Sequence, residues 1–143
     1  MALSNNLAIV AAIDPQIVDN NTVSTDLVDM SLYSRVIFIV EVGFCDTTVN
    51  AKIREAKDDA GVTEQDLTGL AITQLADDDD NKQVILEVSA ANLSAGYRYV
   101  SCDVTVGNGT SGAYISAVGL AGDSRYNPAS DNDLASVAEI KTK

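Results

Sequence analysis

The stretch from Arg35 to Val42 constrains this chain more than any other. Val36-Ile37-Phe38-Ile39-Val40 is an unbroken apolar run, mostly of β-branched residues. Branching at Cβ stiffens χ1 and favours the pleated backbone over the helix. The run is short for a buried helix and fits a central strand buried on both faces. Ile39→Asp is then expected to prevent folding, because it sets a carboxylate among apolar neighbours. A central strand also needs a partner on each side, so the rest of the chain must supply strands.

It does so repeatedly. From Thr48 to Ala56 the chain alternates, with Val49, Ala51 and Ile53 on one side and Asn50, Lys52 and Arg54 on the other. Gln83 to Ser89 alternates through Val84, Leu86 and Val88, and Tyr97 to Val106 through Val100, Cys102, Val104 and Val106. Shorter candidates are Leu7 to Ala12, stopped by Asp14-Pro15, then Val23 to Asp29, Leu70 to Leu75, and Tyr114 to Leu120. Turn formers separate them: Asp19-Asn20-Asn21, Met30 to Ser34, Gly43 to Thr47, Lys57 to Asp66, Ala90 to Gly96, and Gly107 to Gly112. About eight short strands at this spacing, with no long amphipathic helix, predict an all-β fold: an antiparallel, jelly-roll-like β-sandwich or barrel over residues 1–122, with a C-terminal arm over 123–143.

Within the arm, Ser130 and Asp133 could cap a short helix through Leu134, Val137 and Ala138. Three readings fit a polar arm of this kind: folded back on its own domain, laid on a neighbouring subunit, or frayed.

At 143 residues the chain is one domain's worth and can bury a core without disulfides or metal. It has 21 Asp+Glu against 9 Lys+Arg, a formal charge of -12, which repels nucleic-acid phosphates and anionic lipid and predicts neither as a partner. The sequence has no His. That removes Ser-His-Asp and Cys-His nucleophile activation and His-ligated metals. No cofactor or metal is expected, and the chain reads as a non-enzyme. No Lys or Arg precedes Arg35, so no signal peptide is expected, and the apolar run Leu7 to Ile13 is far too short to span a membrane. Cys45 and Cys102 are open to two readings, buried free thiols or a disulfide, and a cytosolic origin favours the thiols.

Asp77-Asp78-Asp79-Asp80 offers hard oxygens, but the sixth residue of an EF-hand-like count is Lys82 and the twelfth Val88, so a solvated loop is expected. Replacing Asp78 and Asp79 by Ser is then expected to change stability by no more than about 0.5 kcal/mol. Tyr33, Tyr97, Tyr99, Tyr114 and Tyr126 could give ring faces to a glycan or pack into interfaces.

Several stretches resemble a family of small tailed-bacteriophage virion proteins, the capsid decoration or cement proteins. They are Val10-Ala11-Ala12-Ile13-Asp14-Pro15-Gln16, Asp29-Met30-Ser31, Leu70-Ala71-Ile72-Thr73-Gln74-Leu75, Asn81-Lys82-Gln83-Val84, Gly96-Tyr97-Arg98-Tyr99-Val100, and Gly122 through Asp131. The last, Gly-Asp-Ser-Arg-Tyr-Asn-Pro-Ala-Ser-Asp, is the most specific, since so polar a string has no generic folding reason to recur. Cys45 and the four-aspartate run stand outside the resemblance. It implies a structural protein made in the host cytoplasm and carried on the capsid exterior. Its implied partner is the phage major capsid protein, with the chain itself a homo-oligomer on the shell. Arg125, Tyr126, Asn127, Pro128 and Asp131 are the residues of the arm expected to bind that partner. Two alternatives stay open: another virion part (neck, tail or fibre-associated) or a glycan-binding β-sandwich for host attachment.

Overall fold

The computed structural model describes residues 3–126, 132–133 and 135–142. The protein is an all-β sandwich, with nine strands among the described residues: β1 (Leu7–Val18), β2 (Asn21–Ser24), β3 (Val28–Asp29), β4 (Tyr33–Cys45), β5 (Val49–Ala56), β6 (Gln65–Ala71), β7 (Lys82–Ser89), β8 (Tyr99–Val106) and β9 (Ala113–Ser124). One sheet has the order β1-β9-β4-β7; the other has β2-β8-β5-β6, with β3 also on β8. All pairings are antiparallel, and they nest: β1 with β9, β2 with β8, β4 with β7, β5 with β6.

The core lies between the sheets. Phe38, Val40 and Val88 enter it from the first sheet, and Ile53, Val100 and Val104 from the second; all are fully buried. Gly119 lies under the Phe38 ring, where an added Cβ would come within 3.0 Å of Phe38 Cε1 and 3.2 Å of Ala11 Cβ. Cys45 and Cys102 are buried free thiols, and burial pushes the Cys102 thiol up to about 12.

Several expected boundaries shift for identifiable reasons. Asp14-Pro15 does not stop the first strand. β1 pairs only with β9, and its register slips between Ile13 and Gln16, so a proline without an N–H sits in a bulge on an edge strand. The expected strand Val23 to Asp29 is split. At Thr25 the side-chain Oγ1 accepts from the Cys102 N–H at 3.0 Å, in place of a ladder carbonyl. The ladder expected over Leu70 to Leu75 lies upstream instead, at Gln65–Ala71. Gly69 takes φ +86° there, and Leu75 keeps only an isolated bridge to Val49. The last strand continues past residue 122 to Ser124, where it still pairs with Tyr33. In the arm, the expected helix is absent among the described residues: residues 135–136 form a turn over Asp133, and residues 137–142 are irregular. Ser130 and Leu134 lie outside the described residues.

The largest correction concerns β4. It is central, but it is not buried on both faces. Val36, Phe38, Val40 and Val42 are buried, whereas Ile37 and Ile39 point the other way and are only half-buried.

The four-aspartate loop is solvated but not idle. Asp80 Oδ1 accepts from the Cys45 N–H at 2.7 Å, and Asp79 Oδ2 accepts from the Ala76 N–H at 2.9 Å. Asp80→Ala is expected to cost about 1–2 kcal/mol by orphaning a backbone donor at the end of β4, and Asp78→Ala about 0–0.5. Urea-unfolding midpoints of the two variants check this.

Candidate functional site

The two outer faces of the sandwich differ in kind. On the second sheet, Lys52 Nζ lies 2.9 Å from Asp66. Arg54 reaches Asp66 at 3.4 Å, Asp103 at 3.5 Å and Glu64 at 3.8 Å. Ser24 Oγ donates to Asp103 at 2.6 Å, and the hydroxyls of Thr22 and Thr105 meet at 2.7 Å. These side chains pair largely with one another, although Arg54 Nε, buried, has no hydrogen-bond partner among the described residues. Ser101 Oγ, buried on the same strand as Asp103, has no partner among the described residues.

On the first sheet the register lines up apolar side chains that face outward. Ile9, Leu120 and Ile37 form one row across β1, β9 and β4. Ala12, Val118, Ile39 and Ile85 form the next, across all four strands. Ile85 is 66% exposed and Ile37 and Ile39 are half-buried, while Ile9 and Leu120, also half-buried, share a hollow with Val137 and Ile140 of the returning C-terminal segment. Alternation explains the arrangement: the inward residues of β9 (Ala113, Ile115, Ala117, Gly119 and Ala121) imply that Tyr114, Ser116, Val118 and Leu120 point out. The outward side chains of these two rows form a contiguous apolar patch on a chain with many charges.

Beyond the apolar rows the face turns polar and concave. Ser116, Glu41 and Gln83 stand opposite one another across β9, β4 and β7. The bulge of β1 raises Pro15, Gln16 and Ile17 as one wall, and Asn81 closes the other side, enclosing a groove of about 530 Å³. Tyr114, half-exposed, forms its end and meets Phe44 edge-on with ring centroids 6.5 Å apart. Ser116 Oγ donates to Glu41 at 3.5 Å.

Arg125 and Tyr126 leave the end of β9 exposed, Tyr126 to 75%. Two hydrogen bonds hold the start of the arm: the Arg125 N–H donates to Leu32 O at 2.8 Å, and the Ser124 hydroxyl donates to Tyr126 O at 2.8 Å. Asn127, Pro128 and Asp131 lie outside the described residues. Further on, the chain returns to the edge of β1. Asn132 Oδ1 accepts from Ile9 N–H at 2.9 Å, and Asp133 N–H donates to Ile9 O at 2.6 Å. Val137 and Ile140 line a hollow with Leu3, Leu7, Ile9 and Leu120.

Of the five tyrosines, Tyr33 is buried, Tyr97 carries Lys57 Nζ at 5.1 Å from its ring centre, and Tyr99 carries Arg98 at 5.3 Å. Tyr114 and Tyr126 remain as exposed rings. Sequence reasoning missed the apolar face and the groove, because an unbroken apolar strand gives no sign of which of its two faces lacks a cover.

No protein-family model matches the chain, and no curated protein matches it.

Proposed function

We propose that this chain is a structural virion protein: a decoration protein that binds the outer surface of a tailed-phage capsid and stabilises it by bridging major capsid subunits. The nested strand pairing is, in this reading, the winding of a jelly roll, a long hairpin folded into two sheets. The observation that carries the proposal is the contrast between the faces. One is closed by its own ion pairs, and the other presents Ile37, Ile39, Val118 and Ile85 with no cover among the described residues.

Four strands about 4.8 Å apart, over about 20 Å of strand, give a face of roughly 300–400 Å². That is well below the ~800 Å² per partner of a standard stable interface. Each contact is therefore weak, and full coverage of a shell would come from many equivalent contacts and from the arm, which begins at Arg125 and Tyr126 just past the end of β9. The acidic surplus keeps free copies apart and off packaged or cellular nucleic acid.

Ile39→Asp tests the docking face. Its side chain points away from the core, so the variant is expected to fold with a loss of about 1–2 kcal/mol. Its occupancy on undecorated shells, measured by co-sedimentation, should fall roughly tenfold or more, as when a charge is desolvated at an interface centre. Full occupancy with the folded variant would remove this face from the docking surface. Copy number in purified particles separates a shell protein, present in hundreds, from a neck or tail ring of about six to twelve.

A further inference from the structure

Resting on that docking reading, the groove at the end of the apolar face points to the chemistry of the partner. We propose that it receives an arginine side chain projecting from a loop of the subunit on which this protein docks. Glu41 stands on the groove floor, exposed, and among the described residues no cation lies within ion-pair distance of it. Several other acids on the sandwich are already matched: Glu87 and Asp123 by Arg35, Asp66 by Lys52, Asp29 by Arg98. Glu41 borders the apolar rows expected to be covered, where an unpaired carboxylate would carry a desolvation penalty unless the partner brings a cation.

The surroundings select a guanidinium over an ammonium. The Tyr114 ring offers a face for stacking, and Gln83 and Asn81 offer amide oxygens beside the carboxylate. Arg can bond a carboxylate through two parallel N–H donors, give further donors to amide oxygens, and stack on an aromatic ring, all within one plane. Its aliphatic stem would cross the adjoining apolar row at Ile39 and Val118. Gly43 leaves room for this arrangement: a Cβ there would come within 3.3 Å of Tyr114 Cβ and push the ring.

The test uses the isolated protein and needs no shell, so its failure is separable from failure of the docking reading. Blocked Gly-Arg-Gly is titrated into the ¹⁵N-labelled chain and followed by amide shifts, with the citrulline and lysine tripeptides in parallel. Shifts are expected at Glu41, Gln83, Tyr114 and Ser116, with Arg tighter than Lys and citrulline weaker by about tenfold or more, the usual weight of a charge-assisted bond. Glu41→Gln should weaken the arginine peptide to the same degree, while amide spectra elsewhere stay unchanged. Equal binding of citrulline and arginine peptides overturns the proposal. So does an unaltered affinity in Glu41→Gln, or shifts at these amides with a neutral oligosaccharide and none with the peptide, which would make the groove a sugar site.

Discussion

Phe38→Ala is expected to lower the unfolding free energy by about 3–5 kcal/mol, the largest effect of any single truncation in this chain. The ring is wholly buried at the middle of the central strand, and Gly119 on β9 has no side chain because the ring fills that space. Truncation therefore leaves a void that the adjacent strand cannot fill, and the loss includes a cavity term besides the lost transfer energy. The neighbouring substitution Ile39→Asp, though far more polar, should cost less than half as much. Urea unfolding of the two variants side by side checks the facing of β4. A greater loss at Ile39 than at Phe38 would reverse it.

Glu55→Ala should cost about 3 kcal/mol, for a different reason. The carboxylate is fully buried at the end of β5. Gln65 Nε2 donates to its Oε1 at 2.7 Å, and the Ser94 N–H to its Oε2 at 2.8 Å. Truncation removes two hydrogen bonds to a charged group, from Gln65 on β6 and from the Ser94 N–H in the loop before β8, each worth about 1.5 kcal/mol. Burial alone would raise this carboxyl group, but the bonds from Ser94 and Gln65 outweigh it and hold the group below its ordinary range. Asp29 behaves alike: the bonds from Arg98, helped by Ser31, bring it to about 2 against burial. A group depressed in the folded state stabilises the fold fully above its unfolded value and loses that contribution as pH falls through the folded one. Wild-type stability should accordingly fall between about pH 4 and pH 2. Glu55→Gln and Asp29→Asn should each flatten part of that slope. Denaturant midpoints across this range measure it, and an unchanged slope in both variants would show that neither group is depressed.

Period-two alternation made β5, β7, β8 and β9 legible, because each has one face set firmly against the core. The same count that turns Val49, Ala51 and Ile53 inward also turns Glu55 inward, so the buried acid was visible in principle. Composition hides it, since glutamate ordinarily marks the wet side. β6 was misplaced because Leu70, Ile72 and Leu75 are the apolar residues of that stretch and do pack against the core. The ladder hydrogen bonds, which depend on no side chain, lie mostly at Gln65 and Asp66. The outward apolar face was illegible for a deeper reason. In β4 both side-chain sets are apolar, and only the neighbour above each set, a second sheet or nothing, makes one core and the other surface. The groove depends on the β1 bulge, a backbone event that Asp14-Pro15 signals only as an interruption.

The nested pairing also carries a consequence for how the molecule comes into being. β5 and β6 close a short loop and can meet early, whereas β1 must wait for β9, near the far end of the chain. Loop closure of that span is paid before the contacts reward it, so folding on the millisecond-to-second scale is expected. During ribosomal synthesis β4 can find β7 well before β9 exists, and until then it offers a bare hydrogen-bonding edge with Phe38 on one side and Ile39 on the other. Crowded overexpression would strand copies at that stage. Slower translation or a lower temperature should therefore raise the soluble yield more than any change to the finished surface.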